Sequence, residues 1–173
     1  VKTPIISIVG WHKVGKTTLV VRLLAELKQM GLRVATIKHT HGEFQLDREG
    51  TDTWRYAEMG SDCVVIAGRE RVAYLARTQH ELNLDELIAG LPTEVDVILT
   101  EGFKQEPTPK IEVLALGDAP ERVRAAGELI AIVADNPPAE AKASGVPCYG
   151  TGDVAALVEL LVARGLVVLP GAR

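Results

Sequence analysis

Gly10-Trp11-His12-Lys13-Val14-Gly15-Lys16-Thr17 sets the architecture expected of this chain. A glycine, four free positions and then Gly-Lys-Thr spell the G-x-x-x-x-G-K-[ST] pattern of a phosphate-binding loop. The flanks agree with the spelling. Residues 5–9, before the loop, are a short β-branched apolar run that reads as a buried parallel strand. After it, Leu19, Leu23, Leu24, Leu27 and Met30 recur at helical spacing, which predicts a helix over 16–30 stopped by Gly31. A second strand is predicted over 33–38, completing a βαβ unit with a right-handed crossover. In such a loop the glycines let backbone N–H groups curve around phosphate oxygens, and the helix N-terminus adds partial positive charge. Lys16 is expected to reach the β- and γ-phosphates and Thr17 to offer its hydroxyl to Mg²⁺. The nucleotide-contacting set is therefore Gly10, His12, Lys13, Val14, Gly15, Lys16, Thr17 and Thr18. Some loops of this type carry a second lysine directly after the first glycine. Trp11 holds that place here, so Lys13 reads as a solvated side chain of the loop.

Outward from the loop, the chain alternates strands and helices. Residues 39–50 are polar and aperiodic and read as a functional loop. A short helix is expected over 51–59, a hairpin over 63–67 and 71–76 turning at residues 68–70, and a helix over 82–89. Strands are expected over 95–99, 111–116 and 129–134, a helix over 154–163 and an apolar tail at 167–169. The alternation predicts an α/β fold: a P-loop three-layer sandwich with a mainly parallel sheet plus an added antiparallel hairpin. With 173 residues and no repeat, low-complexity tract or linker, one nucleotide-binding domain over 1–173 is expected.

Composition narrows the functional classes. Net charge is −4, against general nucleic-acid binding through a basic surface. The charge is uneven: +4 over residues 1–50, −5 over 51–100 and −3 beyond. The positive excess falls on the phosphate loop and suits a small anionic ligand. No apolar run approaches the ~18 residues of a membrane helix. With a glycine-rich loop already at Gly10, no secretory leader is expected. Cys63 and Cys148 are far apart and outside any CxxC motif, so two buried thiols in a reducing cytoplasm are expected.

Three further constellations carry chemistry. The run Val95-Asp96-Val97-Ile98-Leu99-Thr100-Glu101-Gly102-Phe103-Lys104 is an apolar strand ending in a carboxylate, the form of a Walker B segment. Glu101 is the candidate for holding Mg²⁺ or orienting water, so Lys16 and Glu101 are the catalytic candidates and Thr17, Asp47 and Glu101 the metal candidates. Asp96 stands at the wrong end of the strand for ligand chemistry. Lys38-His39-Thr40-His41 lies at a strand's carboxyl end, where ligands of open α/β sheets bind. The two histidines lack a third metal-ligating neighbour and read as polar contacts to nucleotide or partner. Asp47, further along that loop, occupies the place of a switch-loop carboxylate. Asp135, at the end of a late strand, is the candidate guanine reader, although the usual N-K-x-D spelling is absent.

Four blocks, in order, resemble the molybdopterin-guanine dinucleotide biosynthesis adaptor proteins, the MobB family. They are GWHKVGKTTL at 10–19, TIKHTHGEFQLDREGTDTWR at 36–55, AEMGSD at 57–62 and ILTEGFKQEPTPKIEV at 98–113. The resemblance spans about residues 5–135. It departs from the family at Gly42, where the frequent KHTHH spelling has a second histidine. The resemblance implies a small GTP-binding protein of the simibi branch with weak GTPase activity, requiring GTP and Mg²⁺. It implies a role in converting molybdenum cofactor to its guanine dinucleotide form, as a dimer, with the guanylyltransferase or its molybdopterin substrate as partner. Two other functions fit a P-loop domain: a small-molecule kinase and a metallochaperone GTPase. The first needs an arginine-bearing lid, and Arg69, Arg71, Arg77, Arg122 and Arg124 form no evident cluster. The second usually carries a Cys or His cluster.

Overall fold

The computed structural model describes residues 3–40, 42, 44–115 and 128–171. Its chain divides into two compact units, one formed by Val1–His39 with Leu91–Arg173 and the other by Thr40–Gly90.

The first unit is a parallel α/β sheet. Its strands are β1 (Ile5–Val9) and β2 (Val34–Lys38), and then, after the second unit's residues, β5 (Val97–Glu101), β6 (Lys110–Val113), β7 (Leu129–Val133) and β8 (Cys148–Tyr149). The order across the sheet is β2-β5-β1-β6-β7-β8, every pairing parallel. The loop-bearing strand β1 thus sits between β5 and β6. All five residues of β1 except Ile5 are buried, as is all of β6, and burial on both faces is why β1 reads as a continuous rather than alternating apolar run. Helix α1 (Lys16–Gln29) lays Leu19, Val20, Leu23 and Leu27 on the sheet. It shares one core with Leu157, Val158 and Leu161 of α5 (Val154–Ala163) and with Ile6, Ile8, Val97, Leu99 and Ile111 of the strands. A smaller cluster of Leu114, Ile132, Ala134 and Ala141 buries the five-residue helix α4 (Ala139–Ala143).

Three hydroxyls interrupt this apolar interior. Thr100 Oγ1 donates to Ser7 Oγ at 2.8 Å, and Ser7 Oγ shares a 2.6 Å hydrogen bond with Thr108 Oγ1. Ser7 and Thr100 are register partners on β1 and β5. Mutual bonding offsets the desolvation each hydroxyl suffers on burial.

The second unit holds α2 (Asp52–Glu58), β3 (Cys63–Ala67), β4 (Val72–Ala76) and α3 (Leu84–Ala89). Thr51 caps α2 by accepting from the Trp54 amide, and Asn83 with Glu86 forms a capping box on α3. The expected hairpin is present and forms a two-stranded sheet of its own, β3 pairing antiparallel with β4. Val64 is buried, with α2 packed on β3. Cys63, Val65 and Ala67 share a sheet face with their register partners Ala76, Tyr74 and Val72, and all six are exposed.

Most elements match the sequence reading, with informative shifts. β5 starts and ends two residues later than its apolar run. Asp96 precedes the strand and accepts from the Arg33 amide at 2.8 Å and from its guanidinium, while Thr100 enters the sheet through its hydroxyl partner. β6 begins at Lys110, one residue early, and ends at Val113; residue 116 of the expected strand lies outside the described residues. α4 and β8 fall in a stretch punctuated by Pro137, Pro138, Gly145 and Pro147, which carries no clear apolar period. Cys63 is exposed and Cys148 half-buried, both as free thiols, which corrects the expectation that both are buried. No described helix is long and apolar enough to cross a membrane.

Candidate functional site

The phosphate loop crosses from β1 to α1 at the carboxyl end of the sheet, the end where ligands of such sheets bind. Its shape depends on Gly10, whose φ is +143°. A Cβ placed there lies 2.4 Å from the carbonyl oxygen of Val113 on β6, so only a bare backbone passes. Lys13 at φ 63° and Gly15 at φ +100° complete the curl, and Gly15 stands at the N-cap of α1 with no side chain in the way. Val14 packs against the main core and anchors the loop from below. His12, Lys13 and Thr18 are exposed.

Lys16 folds back over the loop, and its ammonium donates to the carbonyl oxygens of Gly10 (3.2 Å) and Trp11. Burial lowers its pKa, Glu101 opposes the shift, and Lys104 and Lys38 lower it further. An anion placed beside this ammonium relieves both the desolvation and the like-charge repulsion.

Glu101 closes β5 beside α1. Its Oε2 accepts from the Thr17 hydroxyl at 2.8 Å, and its Oε1 pairs with the Lys38 ammonium at 3.3 Å. The two oxygen groups expected to serve a hard cation are therefore already adjacent, and their donor chemistry fits Mg²⁺. The next residues turn sharply: Gly102 has φ +102° and Phe103 φ +55°. A left-handed non-glycine residue is strained by about 1–3 kcal/mol. Phe103 leans on His39, ring centroids 5.0 Å apart. Lys104 follows, its ammonium 5.1 Å from the centroid of the Trp11 ring.

Two further expected residues have hydrogen-bond partners of their own. Asp135, just past β7, is joined not to the loop but to the segment after β8. Its Oδ1 accepts from both the amide and the hydroxyl of Thr151, each at 2.8 Å. These bonds hold its pKa below the usual carboxylate value, with Arg22 of α1 adding to the shift. Arg22 also donates to the Thr151 carbonyl oxygen at 2.5 Å. Asp47 belongs to the second unit, where its carboxylate accepts from the Arg48 amide (2.8 Å) and the Thr51 hydroxyl (2.9 Å) ahead of α2. His39 is half-buried, and His41 lies outside the described residues. Among the described residues no three of His, Cys, Asp and Glu gather into a metal-binding group.

Thr151, Arg22 and the Trp11–Lys104 pair were not among the site residues expected from the sequence, whereas Lys38 lay in the strand-end constellation over 38–41. Lys104 carried a faint signal, standing three residues beyond the strand-end acid. Thr151 carried none, since it is 16 residues from Asp135.

A glycine-shaped loop between a buried central strand and a helix, with its lysine, threonine and strand-end acid assembled, defines a P-loop NTPase fold. Within that class, the family described as "Molybdopterin guanine dinucleotide synthesis protein B", MobB, matches residues 5–135, and the chain belongs to it. The molybdopterin-guanine dinucleotide biosynthesis adapter protein of Haemophilus influenzae is 45% identical over 109 residues, covering 62% of this chain and 61% of that protein's length. Its counterpart in Escherichia coli is 33% identical over 139 residues, covering 78% and 79%. The Bacillus subtilis MobB crystal structure is similar at a TM-score of 0.74 with 30% identity, covering 95% of this chain and 98% of that one. A second crystal structure, of molybdopterin-guanine biosynthesis protein B, gives 0.71 with 28% identity, covering 92% and 97%.

Proposed function

We propose that this MobB-family protein is a GTP-binding adaptor in molybdopterin guanine dinucleotide biosynthesis, a slow GTPase that works in the cytoplasm and assists the guanylyltransferase. The observation that carries the reading is the contact of Thr17 with Glu101 beneath the phosphate loop, 2.8 Å between donor and acceptor. These two residues would hold Mg²⁺. The metal's contribution is to neutralise charge on the β- and γ-phosphates. Gly10, His12, Lys13, Val14, Gly15, Lys16, Thr17 and Thr18 would surround the phosphates. Asp135, one oxygen oriented by Thr151, would accept from the guanine N1–H and 2-amino group with the other. Lys16 and Glu101 would stabilise the transferring phosphoryl group and orient water.

Thr17→Ala and Glu101→Ala are each expected to blunt the Mg²⁺ dependence of GTP hydrolysis while leaving metal-free nucleotide binding within about threefold, because each removes an oxygen ligand for a hard cation and no phosphate donor. Wild-type Mg²⁺ titrations in both variants would remove the metal assignment.

The protein is proposed to act as a homodimer. Support comes from the exposed apolar face of the β3–β4 hairpin, where Val65 is 51% and Tyr74 60% exposed. Exposed sheet surface and unpaired strand edges are ordinarily covered or paired. Tyr74→Glu is expected to shift the dimer–monomer equilibrium by about tenfold or more toward monomer, for burying a charge without a partner is costly. Sedimentation velocity at micromolar concentration checks this; a wild-type protein that is already monomeric refutes it.

The function itself is tested by partner binding. With the segment over 39–50 as a switch ordered by the γ-phosphate and Mg²⁺, the affinity for the guanylyltransferase, or for its molybdopterin substrate, should differ between GTP-analogue and GDP states by a coupling of about 1–3 kcal/mol. Linkage requires the partner to change GTP affinity by the same factor. Equal affinity with GTP analogue, GDP and no nucleotide rules out the switch. Phosphoryl transfer from GTP to a small metabolite would replace the adaptor reading with a kinase.

A further inference from the structure

Lys104 reaches the phosphate loop by an unusual route. After Glu101 the chain passes through two consecutive left-handed residues, Gly102 and Phe103. The turn is wedged in place: a Cβ on Gly102 lies 3.1 Å from the His39 Cβ, and the Phe103 ring rests on the His39 ring. The strain has a product, since the next side chain is delivered back over Trp11, with 5.1 Å between the Lys104 ammonium and the indole centroid. Trp11 is 49% exposed and sits directly after the loop's first glycine. A half-exposed indole does little for a core. Its π face, however, holds a cation in position.

The charges near the loop point the same way. The Lys38 ammonium pairs with the Glu101 carboxylate at 3.3 Å, so a second lysine stands at the strand-end acid. Cations gathered at one end of the sheet become favourable beside a polyanion.

We propose that Lys104 is a further phosphate-binding residue, positioned by the Trp11 ring to engage the terminal phosphate of a bound nucleoside triphosphate. The inference rests on the nucleotide-binding reading above. The terminal phosphate is singled out by position. Lys104 follows the strand-end acid by three residues, and a metal held by Thr17 and Glu101 would neutralise charge on the outer phosphates. Trp11 is a positioning residue and touches no phosphate.

The test is calorimetric titration of the full chain with GTP and with GDP, each with Mg²⁺, for wild type, Lys104→Gln, Lys104→Arg, Trp11→Phe and Trp11→Ala, with melting curves for all. Lys104→Gln should weaken GTP binding by about tenfold and GDP binding by less than about twofold, as loss of one charge-assisted contact requires. Lys104→Arg and Trp11→Phe should stay within about threefold of wild type, and Trp11→Ala should fall between. The chain has two tryptophans, Trp11 and Trp54. In a Trp54→Phe background the remaining emission should change on adding GTP with Mg²⁺, and less so when Lys104→Gln is also present. If Lys104→Gln melts early, Trp11→Ala and the emission change decide instead. Wild-type GTP affinity in Lys104→Gln, or equal weakening of GTP and GDP, overturns this inference alone. A wild-type protein that binds neither nucleotide overturns the nucleotide reading, and this inference with it.

Discussion

Lys16→Ala should nearly abolish triphosphate binding while leaving the protein folded. Lys16 opens α1, where alanine is at least as good a helix former, and its ammonium bonds only carbonyl oxygens of the loop. Neither role is needed to keep the sheet together. What disappears is a charge held partly away from water, with its pKa lowered chiefly by that burial. A contact between such a charge and phosphate contributes about 1.5–3 kcal/mol, so affinity should fall at least ~10-fold. Calorimetry on the variant, after circular dichroism has shown an unchanged fold, measures the effect. An undiminished affinity would mean that the loop is not the phosphate site.

Gly10→Ala should act on the fold itself. The added Cβ meets the Val113 carbonyl oxygen at 2.4 Å and Val14 Cγ2 at 3.1 Å. The first neighbour is backbone of a fully buried strand, which cannot swing aside as a side chain would. Relief requires β1 and β6 to part near the Val9–Glu112 pair. Left-handed strain adds to the clash, and the sum should be about 2–4 kcal/mol, or a melting point lower by roughly 5–15 °C. Gly15 supplies the control. Its φ of +100° is equally unfriendly to alanine, yet nothing lies within 4 Å of a Cβ there. Gly15→Ala should therefore cost only about 1–2 kcal/mol. Equal melting points for the two variants would show that strain, not the close approach to β6, governs the loop.

The loop was legible because its chemistry is local: eight consecutive residues specify the curve, the charge and the helix start. Ile5–Val9 and Val154–Ala163 were legible to the residue for a similar reason, being bounded by Gly10 and by Gly165 with Arg164. β5 was legible as a strand but not in its limits. Its start is fixed by Asp96 binding Arg33, 63 residues away, and its end by a hydroxyl on another strand. The capping box of Asn83 and Glu86 was present in the sequence and could have placed the start of α3. Thr17 and Glu101 could be singled out because each follows from the P-loop plan. Their neighbours could not. Thr151 meets Asp135, and Lys104 meets Trp11, through folds of the chain that no spacing encodes. The exposure of Cys63 was hidden for a related reason. Alternation in Cys63–Ala67 is apolar on both faces, so the sequence carries no mark that Val64 alone of this strand is buried.

The hydroxyl chain of Thr100, Ser7 and Thr108 has a consequence for where Glu101 stands. Parallel strands made only of Val, Ile and Leu discriminate poorly between alignments two residues apart, since either one buries oil against oil. With Ser7 opposite Thr100, a slide of β5 along β1 by two residues would strand the Thr100 hydroxyl against aliphatic side chains, while Ser7 kept Thr108. The orphaned group would cost about 1–3 kcal/mol. Ser7, itself held by Thr108, and Thr100 therefore work as a vernier. They fix the longitudinal setting of β5 to one notch, and that notch is the one in which its terminal carboxylate meets Thr17.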